Sequence, residues 1–325
     1  MRLVITGATG LLGNNIARLA LAQKHDVVAI ARGATTAQAL ADLDATKVNA
    51  DITDPAPLER IDGTIDAVIH CAAHIHIGWK RRDEGLRTNT LGTRNALQLA
   101  LKKQARFIHV STVNTLAIGN RNAPANETTQ GDGQVPCTYV LSKRAAEKET
   151  LDGIEQGLDA VIVYPGFMLG PWDWKPSSGR MICDLAKGAP PLAPAGGCSI
   201  CDPRDVAQAI LYAVHHAPSK SRYILAGENW TYLQLWREIT QRFGTRQPWT
   251  FMRPPARIIA GSAGDLYGKL TGNEPIINSA AIAMASQFHW YSSQLAIDKL
   301  NYHVRPVSES IDDAIAWLRS HQFLK

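Results

Sequence analysis

The sequence predicts an α/β protein: a Rossmann-type, doubly wound parallel sheet with a smaller, discontinuous C-terminal substrate lobe. Three observations predict it. Short apolar runs alternate with helical stretches through the first half, a glycine-rich turn directly follows the first run, and the chain turns rich in Pro, Gly and Trp after Pro165. The 325 residues are 45% hydrophobic, enough for a large core. The expected division places residues 1–165 and about 202–226 in the sheet domain, and about 166–201 and 227–325 in the lobe.

Residues 3–5 form the first buried strand, and residues 11–23 the helix after it, with small and apolar side chains on one face. Between them, Gly7 allows a tight turn, Gly10 lets a pyrophosphate approach the backbone, and Gly13 lets the helix pack close to the strand. Free N–H groups at the helix start suit a dinucleotide's phosphates. A turn that only packs would look the same in isolation; its place at the head of a strand–helix–strand unit favours the nucleotide site. Further strands are expected at 27–31, 47–50, 66–71, 106–110, 160–164 and 222–225. Helices are expected at about 80–103, 139–156, near 180–187 and at 205–216, with helices dominating from Trp230 onward.

The net charge of +5 is modest and scattered; Lys80-Arg81-Arg82 and Lys102-Lys103 are short runs on solvated faces, and no nucleic-acid module is present. No apolar run is long enough to span a bilayer, and the glycine turn interrupts the N-terminal apolar stretch too early for a signal peptide. The expected setting is therefore cytoplasmic, with a small-molecule substrate and neither nucleic acid nor membrane as partner. Five cysteines in a chain this long do not make a disulfide framework, and Cys198 and Cys201 lack a second pair of ligands, so no metal is expected.

Tyr139 and Lys143 stand four residues apart, on one face of a helix. A free tyrosine titrates near ~10, and a neighbouring ammonium stabilises its phenolate, so the phenol can exchange a proton with a carbonyl oxygen. Alone, such a pair is usually a surface feature. Here it follows a strand ending in Ser111 and Thr112, at the carboxyl edge where parallel sheets bind ligands. Thr112 either donates to the substrate oxygen or caps the strand's last carbonyls, with Ser111 in its place.

These motifs in this order resemble those of the extended short-chain dehydrogenase/reductases, the NAD-dependent epimerase/dehydratase superfamily, over nearly the whole chain. The supporting segments are 6–13, Asp51-Ile52, His70-Cys71-Ala72-Ala73, 89–95, 139–143, Gly170-Pro171 and Asp205-Val206-Ala207. The resemblance implies Gly7, Thr9, Gly10, Leu11, Leu12 and Gly13 at the pyrophosphate, and Asp51 and Ile52 flanking the adenine. It implies Cys71, Ala72 and Ala73 along the cofactor path, with Tyr164, Pro165 and Gly166 also against the cofactor. Tyr139 would be the acid/base, Lys143 the ribose ligand, Thr112 the hydroxyl at a position more often serine, and Asn89 a support for backbone and water. Relatives often dimerise through the two site-flanking helices, which implies a homodimer.

NAD-preferring relatives carry an acidic residue after the second strand; here Ala31 and Arg32 stand there. A guanidinium suits a 2′-phosphate, which favours NADP over NAD, unless Arg32 is simply an exposed loop residue. The segment 161–171 departs from the nucleotide-sugar pattern and is closer to dihydroflavonol-4-reductase-like and 3β-hydroxysteroid-dehydrogenase-like relatives. Residues 175–180 are similar to hopanoid-associated sugar-epimerase-like proteins, so an epimerase or dehydratase retaining its nucleotide stands as the alternative, and a non-catalytic nucleotide sensor as a third. His74, His76, Phe167, Met168, Trp172 and Trp174 are the expected substrate contacts, favouring an apolar or aromatic carbonyl, although any single one of these aromatics reads first as lobe core.

Overall fold

The structure, a computed structural model, describes residues 1–324. β1 (Arg2–Thr6) leads into α1 (Leu11–Ala22), then β2 (Asp26–Ala31), β3 (Thr46–Asn49), α2 (Ala56–Glu59) and β4 (Ala67–His70). α3 (Arg82–Lys103), β5 (Arg106–Val110), α4 (Thr138–Glu155) and β6 (Ala160–Pro165) follow. Next come β7 (Phe167–Met168), α5 (Gly179–Leu185), β8 (Leu192–Ala193), β9 (Gly197–Cys201), α6 (Pro203–His216), β10 (Arg222–Leu225), β11 (Glu228–Thr231) and α7 (Tyr232–Phe243). The last elements are β12 (Thr250–Phe251), α8 (Pro254–Thr271), α9 (Ser279–Ala285), β13 (Phe288–His289), α10 (Gln294–Leu300) and α11 (Val307–Ser320).

The central sheet has seven strands in the order β10-β6-β5-β4-β1-β2-β3, every pair parallel. Chain direction across the sheet reverses between β1 and β4, which opens a crevice at their carboxyl ends. Both faces are covered, as a parallel sheet requires. Leu3 and Ile5 point into one core with Ile16 of α1 and Ile210 of α6, while Val4 points into the other with Leu97 of α3 and Ile154 of α4. This period of two is why the strands read as short continuous apolar runs.

A smaller sheet is centred on β9. β11 pairs antiparallel with one edge; β13 and β7 share the other, each parallel. Cys198 and Cys201, three residues apart on β9, point to opposite faces and enter different cores, so they do not form a pair. Helix α3 begins at Arg82 rather than Lys80, because Arg81 is left-handed (φ 56). Among the described residues, no helix is long and apolar enough to cross a membrane, and no cluster of three or more His, Cys, Asp or Glu is placed to hold a metal.

Candidate active site

The crevice between β1 and β4 is built from bare backbone. Gly7 has φ +69, and a Cβ there would meet the Ala72 nitrogen at 2.8 Å. A Cβ on Gly13 would overlap the Gly7 carbonyl oxygen, so α1 rests directly on the turn. α1 starts at Gly10 with no side-chain cap and no acidic residue in its first turn, leaving its leading N–H groups open to an anion.

A groove of about 1130 Å³ runs from this turn along the carboxyl edge of the sheet. Thr9, Gly10, Leu11, Leu12 and Gly13 line it, as do Arg32, Asp51, Ile52, Cys71, Ala72 and Ala73. Arg32 is largely exposed, 4.0 Å from the Asp51 carboxylate, and Arg87 joins it at the same end. Hydrogen bonds from the Thr53 N–H and hydroxyl hold the Asp51 carboxyl below its usual range. These features fit a dinucleotide: close backbone approach at the turn, free N–H groups at α1, and cations at the ribose end.

Tyr139, Lys143 and Glu147 follow one another at four-residue intervals along a single face of α4. Lys143 is buried, and its Nζ donates to the Val110 carbonyl at 2.7 Å. Burial lowers its pKa to about 8, against the pull of Glu147 and Cys71. The Tyr139 phenol is pushed up by burial and brought partly back by the Thr112 hydroxyl. The expected ordering of these two effects is thus reversed: desolvation of the phenol outweighs any help from the ammonium, which is engaged by the strand carbonyl. Cys71 beside them is a neutral thiol, its pKa raised by burial to about 12. His70 and His109 lie within the sheet, both held neutral by burial.

Glu147 is the residue that sequence reasoning missed. Its carboxylate is buried and accepts from Ser111 Oγ at 3.0 Å, Thr115 Oγ1 at 3.1 Å and the Tyr164 hydroxyl at 2.6 Å. The signal was available, since an acid continuing the Tyr139–Lys143 spacing falls on the same buried face. Ser111 is committed to this carboxylate, whereas Thr112 is left beside Tyr139. Tyr164 is a correction: it is fully buried beneath the groove, as Glu147's donor, and neither it nor Pro165 lines the groove, though Gly166 does. Asn89 also stands back from the groove and acts as a staple. Its Oδ1 accepts from His74 N at 2.6 Å, and its Nδ2 donates to His74 O and to Ser142 Oγ.

Of the expected substrate contacts, Phe167 and Met168 line the far end of the groove, and His74 lines it on the side of Glu84 and Arg32. Three other expected contacts do not. His76 turns away to Glu274, 2.7 Å from its Oε2. Trp172 and Trp174 pack against Trp317 and His321, and Arg18 lies 3.4 Å over the Trp172 ring, so both indoles are core. Met181, Cys198, Tyr232, Trp236 and Met284 take their place, brought in by β9, α5, α7 and α9. Asp173, buried and accepting from Ser177 N and Gly179 N, lies at this end with Lys175.

Residues 3–226 match the profile of the NAD dependent epimerase/dehydratase family. The chain is 28% identical to a "Putative dihydroflavonol 4-reductase" of Synechocystis sp., over 99% of this chain and 95% of that protein. It is 29% identical to sterol demethylase protein B of Methylococcus capsulatus, over 81% of this chain and 80% of the relative. The crystal structure of gox2253 superposes with a TM-score of 0.86 at 31% identity, covering 100% of this chain and 99% of that one.

Proposed function

The chain belongs to the NAD-dependent epimerase/dehydratase family, and from that premise we propose an NADP(H)-dependent oxidoreductase acting on a small apolar or aromatic carbonyl or alcohol. Bound nicotinamide supplies or accepts the hydride. In the reducing direction the Tyr139 hydroxyl gives its proton to the substrate oxygen, and in oxidation it takes one back. Thr112 donates a hydrogen bond to that oxygen as charge builds on it. Lys143, anchored by the Val110 carbonyl, would hold the ribose, and Glu147 favours its protonated form. The turn from Gly7 to Gly13 holds the pyrophosphate, Asp51 and Ile52 flank the adenine, and Arg32 takes the 2′-phosphate. Asn89 fixes the loop that carries His74. Residues 1–165 with 202–226 would thus hold the cofactor, and 166–201 with 227–325 the substrate.

The observation that carries this reading is the charge layout of the groove. Arg32 and Arg87 lie at the cofactor end, whereas Phe167, Met168, Met181, Tyr232, Trp236 and Met284 give the substrate end a sulfur, aromatic and methyl surface, interrupted by Lys175, Ser177 and Ser178. A sugar diphosphate placed there would find no arginine fork among the described residues lining that end and would exchange hydration mainly for apolar contact. Two relatives matched over most of the chain, named as a putative dihydroflavonol 4-reductase and a sterol demethylase protein, support the same kind of substrate.

The test is to denature the purified protein, identify any released nucleotide, and follow oxidation of NADPH and NADH with aromatic ketones and aldehydes. NADPH-dependent turnover without stoichiometric retained nucleotide is expected. Equimolar retained nucleotide with turnover of a nucleotide sugar would instead establish the epimerase/dehydratase reading.

A further inference from the structure

Helix α8 carries its apolar side chains outward. Gly261, Gly264 and Gly268 lie along the side that packs on residues 274–279: a Cβ on Gly261 would come within 3.0 Å of Ser279 Cα, and one on Gly264 would overlap the Ile277 carbonyl. The opposite stripe holds Ile258, Ile259, Leu266 and Leu270, which are 68, 70, 58 and 79% exposed. Close glycine packing leaves no room for these side chains to turn inward, so nothing within the fold can bury them. The apolar surface extends beyond the helix. Trp249 and Phe251 before it, and Ile276 and Ile277 after it, are also exposed. Asn278 ties Ile77 to this segment through a 3.0 Å bond to its carbonyl, and Ile77 and Ile75, both exposed, line the groove. Exposed apolar side chains therefore stand both on the outer face of α8 and, across its glycine-packed side, at the mouth of the groove. So many exposed apolar side chains on neighbouring elements mark a contact site.

Charge identifies the occupant. Between residues 249 and 277 the cations are Arg253, Arg257 and Lys269. Both acids of the segment face inward: Asp265 accepts from Ser279 N, and Glu274 pairs with His76 and accepts from the N–H groups of Trp79 and Lys80. A symmetric pairing of two copies through this face would set the same three cations against each other with no acid to meet them. An anionic lipid surface satisfies both features, taking the leucine and isoleucine stripe into its acyl boundary while its headgroups meet the arginines and lysine. We propose that α8 lies in the surface of an anionic bilayer, with the groove mouth beside it, so that an apolar substrate enters from the lipid. Docking stands independently of the oxidoreductase reading; substrate delivery rests on it.

The experiment is vesicle flotation of the full chain with phosphatidylcholine vesicles, with and without phosphatidylglycerol, at low and high salt. Binding to the anionic vesicles that weakens with salt is expected, and Leu266→Glu/Leu270→Glu should weaken it at least ~10-fold by removing two buried side chains from the interface. The same variant should keep nucleotide binding and turnover of a water-soluble ketone. Arg253→Glu/Lys269→Glu should erase the preference for phosphatidylglycerol. Absence of binding, equal binding to both vesicle types, or a dimer in sedimentation that the leucine pair dissociates would each overturn the proposal. Vesicle binding with no turnover of any carbonyl compound would leave the docking standing and sink the reductase reading.

Discussion

Replacing Glu147 by Gln keeps the side chain's shape and removes the negative charge four residues along α4 from Lys143. The Lys143 pKa of about 8 is the balance of burial, which lowers it, against Glu147 and Cys71, which raise it. With its own pKa pushed up to about 12, the Cys71 thiol is uncharged at working pH, so Glu147 is the anion that supports the ammonium. A nearby opposite charge shifts a pKa by ~1–3 units; taking the low end, Lys143 in the variant titrates near ~7. At pH 8 the protonated fraction then falls from about half to about a tenth, a ~5-fold loss, whereas at pH 6 both forms are almost fully charged. Because activity is assigned to the protonated lysine, it is lost as pH rises through this pKa. The basic limb of kcat/KM against pH should therefore move ~1 unit toward acid in Glu147→Gln. Thermal unfolding provides the control. The amide must turn an N–H toward one of three hydroxyls that now donate, costing about 1–3 kcal/mol. A rate lowered equally at every pH, with the limb unmoved, would show that Glu147 only props up the fold and would refute the electrostatic argument.

Three further outcomes are expected. Arg32→Ala should weaken NADPH binding by about 10-fold or more, from loss of a charge-assisted contact of ~1.5–3 kcal/mol, and leave NADH binding nearly unchanged in a fluorescence titration. Gly13→Ala should drive a methyl into the Gly7 carbonyl, costing about 1–3 kcal/mol of stability by denaturant unfolding and abolishing nucleotide binding. Sedimentation velocity at micromolar protein should give twice the chain mass if α3 and α4, which pack side by side, form the homodimer face; a monomer excludes it.

The central sheet was legible because its inner strands are apolar runs buried on both faces, and the glycine turn and the Tyr139–Lys143 spacing are local patterns; the edge strand β3, Thr46–Asn49, is the polar exception. The lobe's small sheets were not legible: β7 and β13, which pair with β9, and β8 and β12, which pair only with each other, span two residues each, too short for any alternation to register. The substrate contacts divided for a related reason. His74, Phe167 and Met168 sit directly after sheet strands, so strand order places them, whereas Met181, Tyr232, Trp236 and Met284 arrive from elements far along the chain. Trp172 and Trp174 have the same local sequence signature as groove residues; only the later contact with Trp317 and His321 assigns them to the core. The lowered Lys143 and raised Tyr139 pKa values depend on burial by the assembled fold, which spacing along one helix does not encode.

The most direct test compares wild type with Tyr139→Phe on one ketone that the wild type reduces, measuring NADPH affinity and single-turnover rate together. Unchanged affinity with a rate lowered ~10²–10⁴-fold is the predicted result, because the phenylalanine keeps the ring and lacks the proton. A variant that reduces the ketone at the wild-type rate would contradict the assignment of proton transfer to this helix face.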